Sequence, residues 1–264
     1  MLRFFQRKAA NLPKAKKTTF VQNKIIGIIP SRYASSRFPG KPLVEIKGKP
    51  MIQRVYEQAS QAKSLTEVIV ATDDKRIADI VKSFGGKFTM TSAHHQSGTD
   101  RCAEVLEKLE NKPDVVINIQ GDEPFIQPEQ IDLLASLFEN EETKIGTLKK
   151  EISNVEDIQN PSIIKVLTDV NDFALYFSRS PLPHVRNSEM NDWLSQHTFY
   201  KHIGIYAYRS ETLKAISSLK PSFLELAEHL EQLRWLENGY KIKVAQTEFE
   251  TVSIDTPDDL KKLH

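Results

Sequence analysis

Short β-branched runs with little polar alternation recur along the first half of the chain, at 25–29 (IIGII), 68–71 (VIVA) and 115–119 (VVINI). Runs of this kind predict strands covered on both faces, as in a parallel sheet. Between them, apolar residues fall at helical spacing: Ile52, Val55, Tyr56 and Ala59; Ile77, Ile80, Val81 and Phe84; Cys102, Val105, Leu106 and Leu109; Ile131, Leu134, Ala135 and Phe138. Each stripe predicts a helix with one face on the sheet. The alternation predicts right-handed βαβ units and an α/β fold with a doubly wound, mixed but mainly parallel sheet.

The texture changes near Ser153. Strand-like segments at 163–167, 173–177 and 203–208, separated by the polar stretch 186–201, predict an antiparallel lobe over about 153–215. Ser222-Phe223-Leu224-Glu225 has the capping-box pattern and predicts one helix carrying Leu226, Leu230 and Leu233 on a single face. A late strand is expected at 241–245. Thr256-Pro257-Asp258-Asp259 predicts a last short helix, with a cap, an N1 proline and acidic residues in its first turn.

The 264 residues suffice for one large α/β domain with a substantial core. Charged residues make up 27% and the net charge is +1, so no global field points to nucleic acid, and no nucleic-acid partner is expected. Residues 1–24 nevertheless carry seven cations and no carboxylate, which leaves residues 25–264 near −6. They read as a basic, disordered leader ahead of the domain at 25–264, with a targeting or nucleic-acid role as the competing readings. The leader lacks the apolar core of a secretory signal, and no uninterrupted apolar run is long enough to span a bilayer; a cytoplasmic protein without a membrane span is expected. The single cysteine, Cys102, forbids an intramolecular disulfide and falls on a helix's apolar face, so it is expected in the core.

The stretch PSRYASSRFPGK at 30–41 carries the most chemistry. It leaves the first strand at its carboxyl end, where α/β sheets bind ligands, and it places Arg32, Arg37 and Lys41 among Ser35, Ser36 and Gly40. Guanidinium forks match phosphate oxygens, and the Pro39-Gly40 turn lets backbone N–H groups face an anion. It is not a Walker loop, because Gly40-Lys41 runs into Pro42, and no GxGxxG follows the strand. Gln120-Gly121-Asp122-Glu123-Pro124 ends the third strand on the same edge, and Asp255 precedes the last helix. Two carboxylates on converging loops, opposite a cationic phosphate loop, form a candidate Mg²⁺ site bridged by nucleotide phosphates. Nucleotidyl or phosphoryl transfer is the chemistry this arrangement predicts.

With these residues in place, residues 25–264 resemble the CMP-KDO synthetases, the 3-deoxy-manno-octulosonate (KDO) cytidylyltransferases of lipopolysaccharide synthesis. The blocks, in order, are PSRYASSRFPGKP, VATDD at 70–74, MTSAHHQSGTDR at 90–101, NIQGDEP at 118–124, ALYFSRSPLP at 174–183, HIGIYAYR at 202–209, HLEQLRWLENG at 229–239 and SIDTPDDL at 253–260. The resemblance implies a nucleotide-diphospho-sugar transferase-like fold, a homodimer assembled through the antiparallel lobe, and the reaction of CTP with KDO to give CMP-KDO and diphosphate. Carried over by motif, Arg32, Ser35, Arg37 and Lys41 would bind the CTP phosphates, and Thr72, Asp73, Ser97 and Gly98 the cytidine. Asp122 and Asp255 would hold Mg²⁺, forming the catalytic group with Arg32 and Lys41. Gln120, Arg179, His202, Tyr206, Glu231 and Gln232 would face the sugar, Arg179 answering its carboxylate and the others its hydroxyls. The competing readings are a CMP-sialate or 8-amino-KDO cytidylyltransferase, and a CTP or sugar-acid binding protein without turnover.

Overall fold

The computed structural model describes residues 23–34, 38–250 and 252–261. The basic leader, apart from Asn23 and Lys24, lies outside them. In chain order the elements are β1 (Ile25–Ser31), β2 (Glu45–Ile46), β3 (Lys49–Pro50), α1 (Met51–Ala59), β4 (Glu67–Thr72), α2 (Lys75–Ser83), β5 (Lys87–Met90), α3 (Gly98–Lys108), β6 (Val115–Asn118) and α4 (Pro128–Ser136). There follow β7 (Ile145–Glu151), α5 (Val155–Gln159), β8 (Lys165–Thr168), β9 (Ala174–Ser178), α6 (Trp193–Gln196), β10 (Tyr200–Arg209), α7 (Ser210–Ser217), α8 (Phe223–Glu228), α9 (Glu231–Glu237), β11 (Ile242–Gln246) and α10 (Pro257–Lys261).

The main sheet runs β11-β7-β10-β6-β1-β4-β5. Neighbours are parallel except β10, which lies antiparallel to both β6 and β7. Strand β1 shows why both faces are covered: Ile25 and Ile29 enter one core and Ile26 and Ile28 the other. The first core takes Ile52 and Val55 of α1, Ile77 and Val81 of α2, and Ile131 and Leu134 of α4; the second takes Cys102 and Val105 of α3, Leu213 and Ile216 of α7, and Leu233 and Trp235 of α9. Each fully buried aliphatic or aromatic side chain contributes roughly 1.5–3 kcal/mol, so the helical stripes are core, as their spacing predicts. Cys102 is fully buried, and burial pushes its thiol pKa up.

In the region expected to form an antiparallel lobe, β8 and β9 pair as an antiparallel hairpin whose Val166, Ala174 and Phe177 join the second core, and Ile152, Ile158, Trp193 and Phe199 form a separate small core. Strand β10 pairs with β7 from Tyr200 onward and also with β8 at Lys201, so the hairpin and the main sheet share this strand. Strands β5 and β7 escape the sequence pattern. The first, KFTM, is a short and mostly exposed edge; the second, IGTLKKE, carries lysines in a strand that is largely buried.

The single helix expected from Ser222 is instead two. The capping box of Ser222 and Glu225 does open α8, but His229 adopts a left-handed conformation (φ 52°) and ends it. Leu226 is left 58% exposed, whereas Leu230 and Leu233 are buried. At the break a residue distant in sequence intervenes: Arg179 Nε donates to the Glu228 carbonyl at 2.6 Å, satisfying a terminal backbone group that no further helical turn reaches.

Candidate active site

Strands β1 and β6 are parallel neighbours, so the loops that follow them emerge side by side. The loop after β1 carries Arg32 and closes where the Gly40 N–H donates to the Tyr33 carbonyl at 2.9 Å. Gly40 is left-handed (φ 73°), a conformation that favours glycine, and Lys41 follows in a short 3-10 turn. Ser35 and Arg37 lie outside the described residues. The loop after β6 packs so closely that a Cβ on Gly121 would lie 2.8 Å from the Pro30 carbonyl oxygen. A third loop brings Asp255: the Ile254 N–H donates to the Asp122 carbonyl at 2.9 Å, and the Asp255 and Thr256 N–H groups donate to Asp259 of α10. The three loops thereby place Lys41 Nζ 2.9 Å from Asp122 and 3.5 Å from Asp255.

These groups line a cavity of about 260 Å³, together with Ser97, Gly98 and Gln120. Ser97 caps α3 in a reciprocal capping box with Asp100, which fixes the helix start against the cavity. Gly98 sits against Pro30, 3.3 Å from its Cγ by a virtual Cβ. Neither Thr72 nor Asp73 is among the lining residues. Thr72 is fully buried, and Asp73 lies behind Arg101, which donates to it at 3.2 Å and to Thr91 Oγ1 at 2.5 Å. His95 also lines the cavity and meets Glu104 at 2.5 Å. Burial opposes ionisation of Glu104, but Lys108, the Ser92 N–H and His95 together hold its pKa down at about 2. Burial, with Asp122 alongside, pushes Glu123 up to about 8.

Of the residues expected to face the sugar only Gln120 lines this cavity; His202, Tyr206, Glu231 and Gln232 do not. Gln120 reaches across to β10, donating to the Gly204 carbonyl at 2.7 Å, and β10 carries His202 and Tyr206, whose rings lie 5.2 Å apart. Tyr206 packs edge-on to Trp235 of α9 at 5.1 Å, and its buried hydroxyl has no hydrogen-bond partner among the described residues. Glu231 opens α9 and accepts from Thr99 Oγ1 at 2.8 Å, tying α9 to α3; burial raises its pKa. Gln232 is buried next to it. Desolvation drives His202 down to about 3, leaving a neutral ring within 2.9 Å of Thr147 Oγ1. Arg179 is not a lining residue of the cavity: Nε donates to Glu228 O and Nη1 to Pro161 O at 2.9 Å.

A family model described as Cytidylyltransferase matches residues 26–242. A 3-deoxy-manno-octulosonate cytidylyltransferase of Parabacteroides distasonis is 57% identical over 243 residues, covering 90% of this chain and 96% of the relative. The chain belongs to the 3-deoxy-manno-octulosonate cytidylyltransferase family. The homologous enzyme of Geobacter metallireducens is 51% identical over 91% of this chain and 96% of its own. A solved CMP:2-keto-3-deoxy-manno-octonic acid synthetase complexed with CTP superposes with a TM-score of 0.84 at 44% identity, covering 91% of this chain and 96% of the other. A 4-diphosphocytidyl-2C-methyl-D-erythritol synthase of Anaerococcus prevotii, at 16% identity and a TM-score of 0.59, shares the fold.

In this cytidylyltransferase, sequence reasoning missed Arg101, His95 and Gln96 on the cavity wall. The signal was present in HHQSGTDR: a capping pattern from Ser97 to Asp100 fixes the helix start, and the next residue, an arginine on the first turn, is carried inward beside the glycine. His95 reaches the cavity while bonded to Glu104 of α3.

Proposed function

We infer that the protein transfers the cytidylyl group of CTP to KDO, CTP + 3-deoxy-D-manno-octulosonate = CMP-KDO + diphosphate. The observation that carries this is the match, at 57% identity across 90% of the chain, to an enzyme named for that activity. The converging cations and carboxylates of the cavity supply a chemical reason for it.

In this reading Arg32 and Lys41, with Ser35 and Arg37, bind the triphosphate and lower its repulsion toward an anionic sugar. Ser97 and Gly98 seat the nucleoside at the start of α3, with Thr72 and Asp73 behind. Arg179, with Nε and Nη1 already held by carbonyls, keeps Nη2 for the sugar carboxylate. Gln120, His202, Tyr206, Glu231 and Gln232 orient the hydroxyls, His202 as a neutral partner and not a proton carrier at pH 7. So held, the anomeric hydroxyl attacks the α-phosphorus in line with the departing diphosphate.

Asp122 and Asp255 are the proposed Mg²⁺ ligands. The donor set fits: two partly exposed carboxylates converge on one cation, which leaves the remaining positions to water and phosphate oxygens, as Mg²⁺ requires. When bound, the ion would acidify the attacking hydroxyl and neutralise charge on the triphosphate. Exposed apolar residues on the hairpin and α8 support a homodimer, and use of CTP supports a cytoplasmic setting.

The test is diphosphate release with CTP and Mg²⁺, comparing KDO, an 8-amino KDO analogue, N-acetylneuraminate and no sugar, with UTP and ATP as controls. Release is expected with CTP and KDO. Preference for another sugar keeps the chemistry and moves the substrate, whereas no release from folded protein that still binds CTP refutes the activity.

A further inference from the structure

We propose that Lys41 is the resident counter-cation of the Asp122–Asp255 pair, so that a divalent ion gains the site only when nucleotide phosphates draw the ammonium away. The proposal rests on the reading of those two aspartates as the metal ligands. It gives Lys41 a state before catalysis as well as a phosphate-binding state during it.

The ammonium lies 2.9 Å from one carboxylate and 3.5 Å from the other, between two anions that would otherwise repel each other. A divalent ion held by both carboxylates would meet that ammonium at close range, and two cations only a few ångströms apart repel strongly in a partly desolvated site. Metal binding and the Lys41 contact therefore compete for the same oxygens. The Lys41 side chain is only 14% exposed, against 27% for Asp122 and 36% for Asp255, so solvent reaches the carboxylates better than it reaches the ammonium that neutralises them.

The backbone around the pair is braced, which leaves the lysine side chain as the moving part. Asp122 and Asp255 are joined through the Ile254 N–H to Asp122 carbonyl bond at 2.9 Å. Gly121 is wedged against Pro30, and the 3-10 turn at Lys41 is closed by the Val44 N–H on the Lys41 carbonyl at 3.1 Å. A flexible four-carbon stem can rotate where these loops cannot. Arg32 lines the same cavity, so an incoming triphosphate meets a second cation there as it attracts Lys41. Nucleotide and metal then bind with positive coupling, each raising the affinity of the other by the same factor.

The test measures Mn²⁺ binding by electron paramagnetic resonance, with and without CTP, in the wild type, Lys41→Met, Lys41→Arg and the double variant Lys41→Met/Asp122→Asn, each checked by thermal melting. The wild type should bind Mn²⁺ tightly only with CTP. Lys41→Met should bind it without nucleotide about tenfold or more tighter than the wild type does. Lys41→Arg, which keeps the charge, should stay weak, and Asp122→Asn should cancel the gain. If the folded Lys41→Met protein binds Mn²⁺ no better than the wild type, the lock is refuted while the metal assignment stands or falls on Asp122→Asn. A gain that survives Asp122→Asn instead refutes the metal assignment, and the lock with it.

Discussion

Glu231 shows a single residue held against its own stability. Its pKa is raised, first by burial, although Thr99 donates to it. A carboxyl whose folded-state pKa exceeds its unfolded value binds more protons when folded, so its contribution to stability falls as pH rises above the unfolded value near 4.5. Glu231→Gln removes that penalty and retains an acceptor for Thr99. The variant should melt at or above the wild-type temperature at neutral and alkaline pH, with the difference closing below about pH 4.5. If Glu231 binds the sugar, KM for KDO should rise about tenfold or more, since a charge-assisted hydrogen bond is worth about 1.5–3 kcal/mol. A stable variant with unchanged KM for KDO would leave Glu231 a structural residue.

At the scale of elements, the site joins the loops that leave β1 and β6 to the segment ahead of α10. Parallel pairing of β1 and β6 lines up their exits, and Gly121 lets the two loops touch. A methyl group at that position meets a backbone oxygen at 2.8 Å, so the loop carrying Asp122 must shift. Gly121→Ala should therefore lower kcat by about a hundredfold, the order of loss expected from a displacement near 1 Å. Stability should fall by only about 1–3 kcal/mol, seen in denaturant melts. Turnover at the wild-type level would show that the loop absorbs the change and that Asp122 tolerates displacement. The break between α8 and α9 belongs to this scale too: one carbonyl, that of Glu228, serves Arg179 where a longer helix would have used it internally.

For the whole molecule, the unpartnered apolar residues are concentrated away from the cavity wall. Val170 and Leu175 of the β8–β9 hairpin are 99% and 61% exposed, and Phe223 of α8 is 89% exposed. Side chains of this size left in water are the usual material of an interface. Sedimentation velocity at micromolar concentration should show a dimer, and Phe223→Asp should shift it toward monomer without unfolding the protein. A wild type that sediments as a monomer would remove the dimer reading. Among the described residues no helix is long and apolar enough to cross a membrane.

Periodicity along the chain was enough for β1, β4, β6 and the helices α1 to α4, because burial on both sheet faces writes β-branched runs and 3.6-residue stripes directly into local sequence. It was enough, too, for the loops that carry Arg32, Lys41 and Asp122, since an α/β sheet puts strand exits on one edge whatever the distance in sequence; Asp255 was expected at a strand exit as well, but it follows an irregular stretch after β11 ends at Gln246 and is brought in by the Ile254 N–H bond to the Asp122 carbonyl. Local pattern could not reveal β7, whose buried Lys149 is satisfied by Thr168 and Asp172 from elsewhere in the chain. Nor could it foresee the split of the 222–233 helix, where the guanidinium of Arg179, just past the end of β9, takes the Glu228 carbonyl. Tertiary structure alone decided that Lys41 Nζ sits between two carboxylates 81 and 214 residues away, because a contact of that range is set by how the strands pair and not by any preference of its neighbours.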